Sequence, residues 1–380
     1  MKVSLRGTVI LAIVGVAGLL GARFSVHGLK DAMQTHPEWR SPTFQIREQT
    51  RQSSTFFKWI ADAELGFVLP PNLQQTIGTW DFTFVRVTDA SGFPNPGSWP
   101  GHADMVFTGD SLLTGDGVGV DRIFVSLADA SLKDQTIINL GNPGAGLERQ
   151  RLIYDRYGAS LAPSLVIAAL YAAADLSNDR HFFAWRKNPL GMEYNEFRLE
   201  YGHRTEPPAG EIERRFDRGM IYNWVQSVIE PLLWDARRIR HRQRMPDGQE
   251  IFFDRKGVKA AKSALAEDDP DLVALSASLD RFRERVTAQG AVFAVMLIPS
   301  KEEVFAIEQP PPLGSPITRI KALLDAKGIA YLDLYPIVAA SAEHATPYFQ
   351  RDIHLNRYGN EIVAEAFVEW YARSLKPVAR

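Results

Sequence analysis

Short apolar runs alternate with helical repeats along most of the chain after residue 102, and this alternation constrains the fold more than any other feature. The runs are bounded, rich in β-branched residues and of strand length; they lie at 105–107, 137–140, 165–171, 292–298 and 329–334. Continuous apolar runs of this kind are typical of strands buried on both faces of a parallel sheet.

The segments between the runs have the spacing of amphipathic helices. Apolar residues recur every three or four positions from Leu272 to Val286, and Gly290 ends that helix before the next strand. A similar stripe runs from Ile362 to Trp370. Alternating strands and helices predict an α/β fold in three layers, with a parallel sheet between helices and the active site outside the carboxyl ends of the strands.

Composition excludes several classes of protein. The 380 residues are 45% hydrophobic and 23% charged, which is ordinary for a globular chain, and the net charge of -2 argues against a nucleic-acid partner. The chain has no cysteine, so disulfides, thiolate nucleophiles and cysteine-ligated zinc are excluded. No pair of histidines has metal-ligand spacing. We therefore predict no metal and no cofactor.

The first 30 residues have the pattern of a membrane anchor or signal segment. Lys2 and Arg6 precede an uncharged apolar run at 8–22, which Arg23 closes. The run is intermediate in length between a signal peptide and a spanning helix. A cut after Ala17 would leave part of the apolar run on the mature chain, which favours an uncleaved anchor. The positive charges ahead of the run predict that the rest of the chain lies outside the cytoplasm. Secretion after cleavage near Ala17 is the alternative.

Two further regions interrupt the alternation. Residues 31–102 are polar, aromatic and rich in turn-forming residues, with strand-like pieces such as 82–87, and they predict a small β-containing extension. Residues 103–380 form the predicted α/β domain. A long insertion, predicted to be helical, interrupts this domain at about 184–269.

A Gly-Asp-Ser sequence follows the first buried run and precedes a helical segment. A serine at this junction, Ser111, has its hydroxyl at the carboxyl edge of the sheet, where backbone N–H groups stabilise an oxyanion. Ser111 is therefore a candidate nucleophile. Taken alone, a Gly-Asp-Ser sequence is more often a helix cap than a nucleophile.

An Asp-Ile-His sequence near the carboxyl end supplies the complementary chemistry. His354 could take the Ser111 proton, and Asp352 could orient the imidazole and stabilise its charged form. A surface pair is the alternative for these two residues in isolation. A third motif, 139–146, follows the second run, and its glycines either form a simple turn or bring a backbone N–H close to substrate.

These three motifs, in this order, resemble the SGNH (GDSL-type) hydrolase superfamily. The resemblance implies a flavodoxin-like sheet and assigns Ser111 as nucleophile and Asp352 with His354 as the rest of the triad. It also implies that the N–H groups of Ser111 and Gly144 are oxyanion donors. Lys301 follows the fourth apolar run at its carboxyl end and is a candidate for substrate contact, with an exposed loop lysine as the alternative. Asn356, two residues after His354, is a second candidate.

Two features depart from the family pattern. By register, Ala174 stands where the family's third block usually has an oxyanion-binding asparagine, and Asn178 is the nearest substitute. The spacing Asp-x-His replaces the commoner Asp-x-x-His, and it is similar to that of the AlgX/AlgJ-like polysaccharide O-acetyltransferases.

Three functions are compatible with the sequence. The first is an extracytoplasmic serine esterase that removes acyl groups, with acetyl expected, from a carbohydrate or envelope ester. The second is an O-acyltransferase that passes the acyl group to a polysaccharide, and the third is a non-catalytic glycan-binding or assembly protein on the same fold. No protein partner is predicted; the expected partners are the ester substrate and, through the first segment, a membrane.

Overall fold

The computed structural model describes most of the chain after residue 59. The described residues are 60–62, 64–78, 81–172, 175–187, 242–253, 255–306 and 311–375. The predicted membrane segment at 1–30 and the start of the extension lie outside them. Among the helices within these ranges, none is long and apolar enough to cross a membrane.

The α/β domain is built on a five-stranded parallel sheet, as the apolar runs predict. The described part of the chain has four earlier strands in the extension: β1 (Ile60–Asp62), β2 (Gly66–Val68), β3 (Gln74–Gly78) and β4 (Thr83–Val87). The strands of the sheet are β5 (Met105–Gly109), β6 (Ile137–Gly141), β7 (Leu165–Tyr171), β10 (Val292–Ile298) and β11 (Ala330–Asp333). The order across the sheet is β11-β10-β7-β5-β6, and all neighbouring pairs are parallel. This is a flavodoxin-like order, with the switch point between β5 and β7.

Helices cover both faces of the sheet, because successive strand residues point to opposite sides. Val166, Ala168 and Leu170 of β7 belong to one core, and Ile167 and Ala169 belong to the other. The first core includes buried side chains from α3 (Leu147–Ile153), α4 (Asp175–Lys187), α6 (Pro270–Thr287) and α8 (Pro316–Ala326). The second includes side chains from α1 (Ser111–Thr114), α2 (Phe124–Ser131), α5 (Arg255–Ala261), α7 (Lys301–Phe305), α9 (Tyr335–Ser341) and α10 (Arg357–Trp370).

The described part of the extension consists of two antiparallel strand pairs packed on the α/β domain. These are β1 (Ile60–Asp62) with β2 (Gly66–Val68), and β3 (Gln74–Gly78) with β4 (Thr83–Val87). Beyond them, Asn95 pairs with the edge strand β6: the Asn139 N–H donates to Asn95 Oδ1 (2.9 Å), and Asn95 Nδ2 donates to the Asn139 carbonyl (2.9 Å). The extension thereby satisfies polar groups that an edge strand would leave open.

The insertion differs from the prediction at both described ends. Helix α4 continues to Lys187, past the predicted start at 184. At the other end, β8 (Arg242–Arg244) and β9 (Glu250–Phe252) form an antiparallel pair before α5, so this part is not helical. The β9 sequence Glu-Ile-Phe has a single buried residue, Ile251, which is too short an apolar signal to identify a strand in advance.

Candidate active site

Ser111 is the first residue of α1, directly after β5. The Asp110 side chain caps this helix by accepting from the Leu112 N–H (2.9 Å), and the Asp110 carbonyl accepts from the Leu113 N–H (3.2 Å). Burial raises the pKa of Asp110, although the Leu112 N–H and the charge of His354 act in the opposite direction. These local bonds fix the turn so that the serine hydroxyl lies at the carboxyl end of the sheet.

The structure brings Ser111, His354 and Asp352 together in a hydrogen-bonded line. His354 Nε2 lies 2.8 Å from Ser111 Oγ, and His354 Nδ1 lies 2.6 Å from Asp352 Oδ1. The same carboxylate oxygen accepts from the His354 backbone N–H (2.9 Å). Asp352 therefore binds both the main chain and the ring of His354, which explains how a spacing of two residues satisfies a triad.

The charges around the imidazole favour its protonated form. Burial alone would lower the pKa of His354, but the attraction and hydrogen bond of Asp352 outweigh it and raise this pKa to about 9. Asp116 and Asp110 act in the same direction. Burial would raise the pKa of Asp352, but the charge and hydrogen bonds of His354 hold it below its usual value. The surroundings of the pair therefore favour a carboxylate on Asp352 and an imidazolium on His354.

The N–H groups of Ser111 and Gly144, the expected oxyanion donors, lie in neighbouring turns. The pairing of Gly109 with Gly141 places the turn after β6 beside the turn that carries Ser111. Gly144 in that second turn has φ +67°, a left-handed conformation that favours glycine. Within the described ranges, neither the Ser111 N–H nor the Gly144 N–H donates to a protein acceptor.

A buried arginine, which the sequence analysis did not single out, supports the Gly144 turn. Arg149 donates to Asn142 Oδ1 (2.5 Å), to the Pro143 carbonyl (3.1 Å) and to the Phe67 carbonyl, and its guanidinium lies 3.9 Å from the centre of the Phe67 ring. Arg149 is fully buried. An arginine five residues after a glycine-rich turn carries no sequence signal for this role, because two of its three acceptors are main-chain carbonyls.

Asn178, the expected substitute for the third-block donor, has a structural partner. Its amide donates to Asp175 Oδ1 (3.1 Å), and its Cβ lies close to Gly146. Asp175 also accepts from the Tyr171 N–H (2.8 Å), and burial and the nearby Asp110 raise the pKa of Asp175 well above its usual value. Ala174 lies outside the described residues.

The two candidates for substrate contact have structural partners instead. Lys301 is fully buried, and its Nζ donates to three carbonyls: Phe349 (3.2 Å), Gln350 (3.2 Å) and Asp352 (2.8 Å). It therefore holds the segment that carries Asp352 rather than facing substrate. A buried capping box at Ser300 begins the helix there, which draws the next side chain inward.

Asn356 is the N-cap of α10. Its Oδ1 accepts from the Gly359 N–H (3.0 Å), and its Nδ2 donates to the carbonyls of Thr346 (2.7 Å) and Tyr348 (3.0 Å). All of these bonds are internal to the loop and the helix. Among the described residues, no group of three or more histidine, aspartate or glutamate side chains is arranged to hold a metal ion.

Comparisons with known proteins find relatives only among solved structures. No protein-family model and no curated protein matches the chain. Similar structures include a member of the lipolytic protein G-D-S-L family from Veillonella parvula, at 12% identity and TM-score 0.38, covering 71% of this chain and 98% of that one. The acetyl xylan esterase AlAXEase is similar at 14% identity and TM-score 0.38, covering 71% and 98%.

A catalytic mutant of Axe2, an acetylxylan esterase from Geobacillus stearothermophilus, is similar at 11% identity and TM-score 0.37, covering 71% of this chain and 94% of that one.

Proposed function

We propose that this protein is a serine esterase that works through an acyl-enzyme. One observation carries the proposal: a continuous line runs from Ser111 Oγ through both ring nitrogens of His354 to Asp352, with contacts of 2.8 and 2.6 Å. A serine activated by an oriented base is the arrangement that nucleophilic acyl transfer requires. A helix cap at Ser111 or an ion pair between Asp352 and His354 would not need the contact between His354 Nε2 and Ser111 Oγ.

The catalytic cycle follows from these positions. Ser111 Oγ attacks the ester carbonyl while neutral His354 accepts the serine proton at Nε2. The N–H groups of Ser111 and Gly144 stabilise the oxyanion of the tetrahedral intermediate. The imidazolium then donates its proton to the leaving alkoxide, which leaves an acyl-serine. Water, activated by the same imidazole, attacks this ester and releases the acid and free Ser111.

We propose an acyl group, with acetyl first, on a carbohydrate or another envelope ester as the substrate. The support is the resemblance of the three motifs, including the Asp352 and His354 spacing, to enzymes that handle such esters. The charge pattern at 1–23 supports a location outside the cytoplasm with the chain anchored to the membrane. The same spacing favours, as a second candidate, transfer of the acyl group to a sugar hydroxyl in place of water.

A fluorophosphonate probe tests the proposal directly. Folded protein should be labelled at Ser111, and Ser111→Ala should not be labelled. Acetate release from an acetylated oligosaccharide, with and without a non-acetylated glycan acceptor, then separates the two candidates: an acceptor that gains acetyl at the expense of free acetate indicates a transferase. Absence of labelling and of acetate release would leave glycan binding without catalysis as the function of this fold.

A further inference from the structure

His354 and Asp352 lie on a short segment, 349–354, which we call the acid–base loop. An isolated antiparallel bridge between Tyr348 and Leu355 closes the loop, and the Phe349 N–H donates to the His354 carbonyl (3.1 Å). Inside this closure the loop has neither helix nor strand. Its conformation, and with it the line to Ser111, therefore depends on groups outside the loop.

On one side the loop rests on a buried cation. The Nζ of Lys301 is within 3.2 Å of the carbonyls of Phe349, Gln350 and Asp352. An ammonium has three donors, so these three carbonyls match its hydrogen-bonding capacity. The carbonyl dipoles of the loop thus converge on one positive charge from the α/β domain.

An anion from the extension binds the other polar groups of the same loop. Asp81, between β3 and β4, accepts from the N–H groups of Arg351 and Asp352 through one oxygen, Oδ2, at 2.6 Å each. Its other oxygen lies 3.8 Å from the Arg351 guanidinium, and its side chain is only 4% exposed. Next to it, the Phe82 ring packs on Phe349 with ring centres 4.5 Å apart.

The insertion adds a third contact. The Phe252 N–H of β9 donates to the Gln350 carbonyl (2.8 Å), and the Arg351 guanidinium lies 4.9 Å from the centre of the Phe252 ring. Both additions to the α/β domain therefore meet at the acid–base loop. Their polar contacts fall on the segment that carries Asp352 and His354.

We propose that Asp81 and Lys301 are positioning residues that act together as a charged clamp on the acid–base loop. Lys301 donates hydrogen bonds to carbonyls of the loop, and Asp81 accepts hydrogen bonds from its N–H groups. Each residue therefore binds groups that the other cannot bind. Charge-assisted hydrogen bonds are roughly twice as strong as neutral ones, which suits them to hold an irregular loop. The extension is thus required for a competent triad, and not only for packing.

Both residues are tested with variants that keep side-chain size, Asp81→Asn and Lys301→Met, and with the double variant. Asp62→Asn is the matched control within the extension, since Asp62 pairs with Arg156 far from the loop. Lys321→Met is the matched lysine control, since Lys321 pairs with Asp333 (2.5 Å). Circular dichroism and thermal unfolding identify the variants that fold. Lys301→Gln, which removes the charge but keeps a hydrogen-bond donor, is the substitute if Lys301→Met does not fold.

The activity readout rests on the proposed esterase function. Each clamp variant should lose about 10²-fold in kcat with little change in KM, because a displaced base affects the reaction more than binding. The double variant should lose less than the product of the single losses, since both residues hold one loop. The Asp62 and Lys321 controls should keep wild-type kcat.

The acid limb of the pH–rate profile separates positioning by charge from mere packing. Removal of the Lys301 cation should move this limb to higher pH, because the imidazolium then has one positive neighbour fewer. Removal of the Asp81 anion should move it to lower pH. Asp352, Asp116, Asp110 and Arg351 also face His354 or its loop, and these variants leave them in place. Shifts in the same direction, or none, would contradict the proposal.

A spectroscopic readout does not depend on turnover. The proton between His354 Nδ1 and Asp352 should give a downfield imidazole NMR signal in wild type and in Asp62→Asn, and the signal should weaken or disappear in both clamp variants. Clamp variants that fold and keep both the signal and wild-type kcat would overturn the clamp. A wild type that shows the signal but neither labels nor hydrolyses an ester would instead overturn the proposed esterase.

Discussion

The turn that carries Ser111 and the loop that carries His354 are held in place by different kinds of contact. Around Ser111, the bonds come from the adjacent Asp110 and from the neighbouring strands β5 and β6 of one sheet. Around His354, they come from Asp81 in the extension, Phe252 in the insertion and Lys301 in the α/β domain.

The difference shows which half of the site can tolerate change in its surroundings. A turn fixed by adjacent residues keeps its geometry wherever the sheet folds. A loop held by three distant segments is correct only when all three have docked, so its geometry reports on the whole molecule. We expect substitutions far from the triad to act on the acid–base loop much more than on the nucleophile.

The largest effect should come from the nucleophile itself. Ser111→Ala should reduce ester turnover by about 10⁶-fold, as expected when a triad loses its nucleophile. The fold should persist, because the cap at this turn is the Asp110 side chain and not the serine hydroxyl. Steady-state hydrolysis measures the turnover, and thermal unfolding measures the stability of the variant. Turnover that survives in Ser111→Ala would show that another residue is the nucleophile.

On the side of the acid–base loop, Asp352→Asn should cost about 10⁴-fold in kcat. The amide can donate to His354 Nδ1 where an acceptor is required, so the ring adopts the wrong tautomer. The backbone bond from the His354 N–H to Oδ1 can remain, and the loop should keep its shape. A loss as small as that of the clamp variants would mean that Asp352 only positions the loop and does not set the tautomer.

The contrast between the two regions also explains what the sequence could predict. Apolar runs predict the parallel sheet, and the structure confirms it. The prediction is possible because a strand buried on both faces has several consecutive apolar residues. The Gly-Asp-Ser and Asp-Ile-His motifs predict Ser111, Asp352 and His354 as partners, and the structure brings the three together. The side chains on which these predictions depend lie within a few residues of one another in the sequence.

Roles that depend on main-chain carbonyls or N–H groups have no such signal. Lys301 was predicted to be near substrate because it follows a strand, but its partners are carbonyls some 50 residues away, and any sequence there presents carbonyls. Asp81 binds N–H groups about 270 residues further along the chain, and a single aspartate in a loop predicts no such contact. Only the folded chain defines these pairs.

Activity should depend on pH through the acid–base loop alone. The base form of His354 is neutral, and its neighbours raise its pKa to about 9, so kcat/KM should increase with pH and level off near pH 9. At pH 7 the rate should lie about 10²-fold below the plateau, since about one molecule in a hundred has a neutral imidazole. A profile that levels off near pH 6.5 would show that Asp352, Asp116 and Asp110 do not stabilise the imidazolium.

The smallest effect concerns the residue that closes the acid–base loop onto α10. Asn356→Ala removes a cap acceptor for the Gly359 N–H and two donors to the carbonyls of Thr346 and Tyr348. The free energy of unfolding should fall by about 2 kcal/mol, from a lost cap of about 1 kcal/mol and the unpaired carbonyls. Asn356→Asp keeps the cap acceptor but turns a carboxylate oxygen toward the two carbonyls, so it should lose at least as much.

Kinetics of the same two variants decide between a cap and a substrate ligand. If Asn356 is only a cap, KM should be unchanged in Asn356→Ala. Its amide oxygen and nitrogen already bind the Gly359 N–H and the carbonyls of Thr346 and Tyr348. A substrate ligand predicts the reverse, a raised KM with unchanged stability. The cap also predicts that any loss of kcat follows the loss of stability across the Ala and Asp variants, since both effects arise from one loosened loop. A raised KM in a variant whose free energy of unfolding equals that of the wild type would contradict the structural role and would indicate that Asn356 binds substrate.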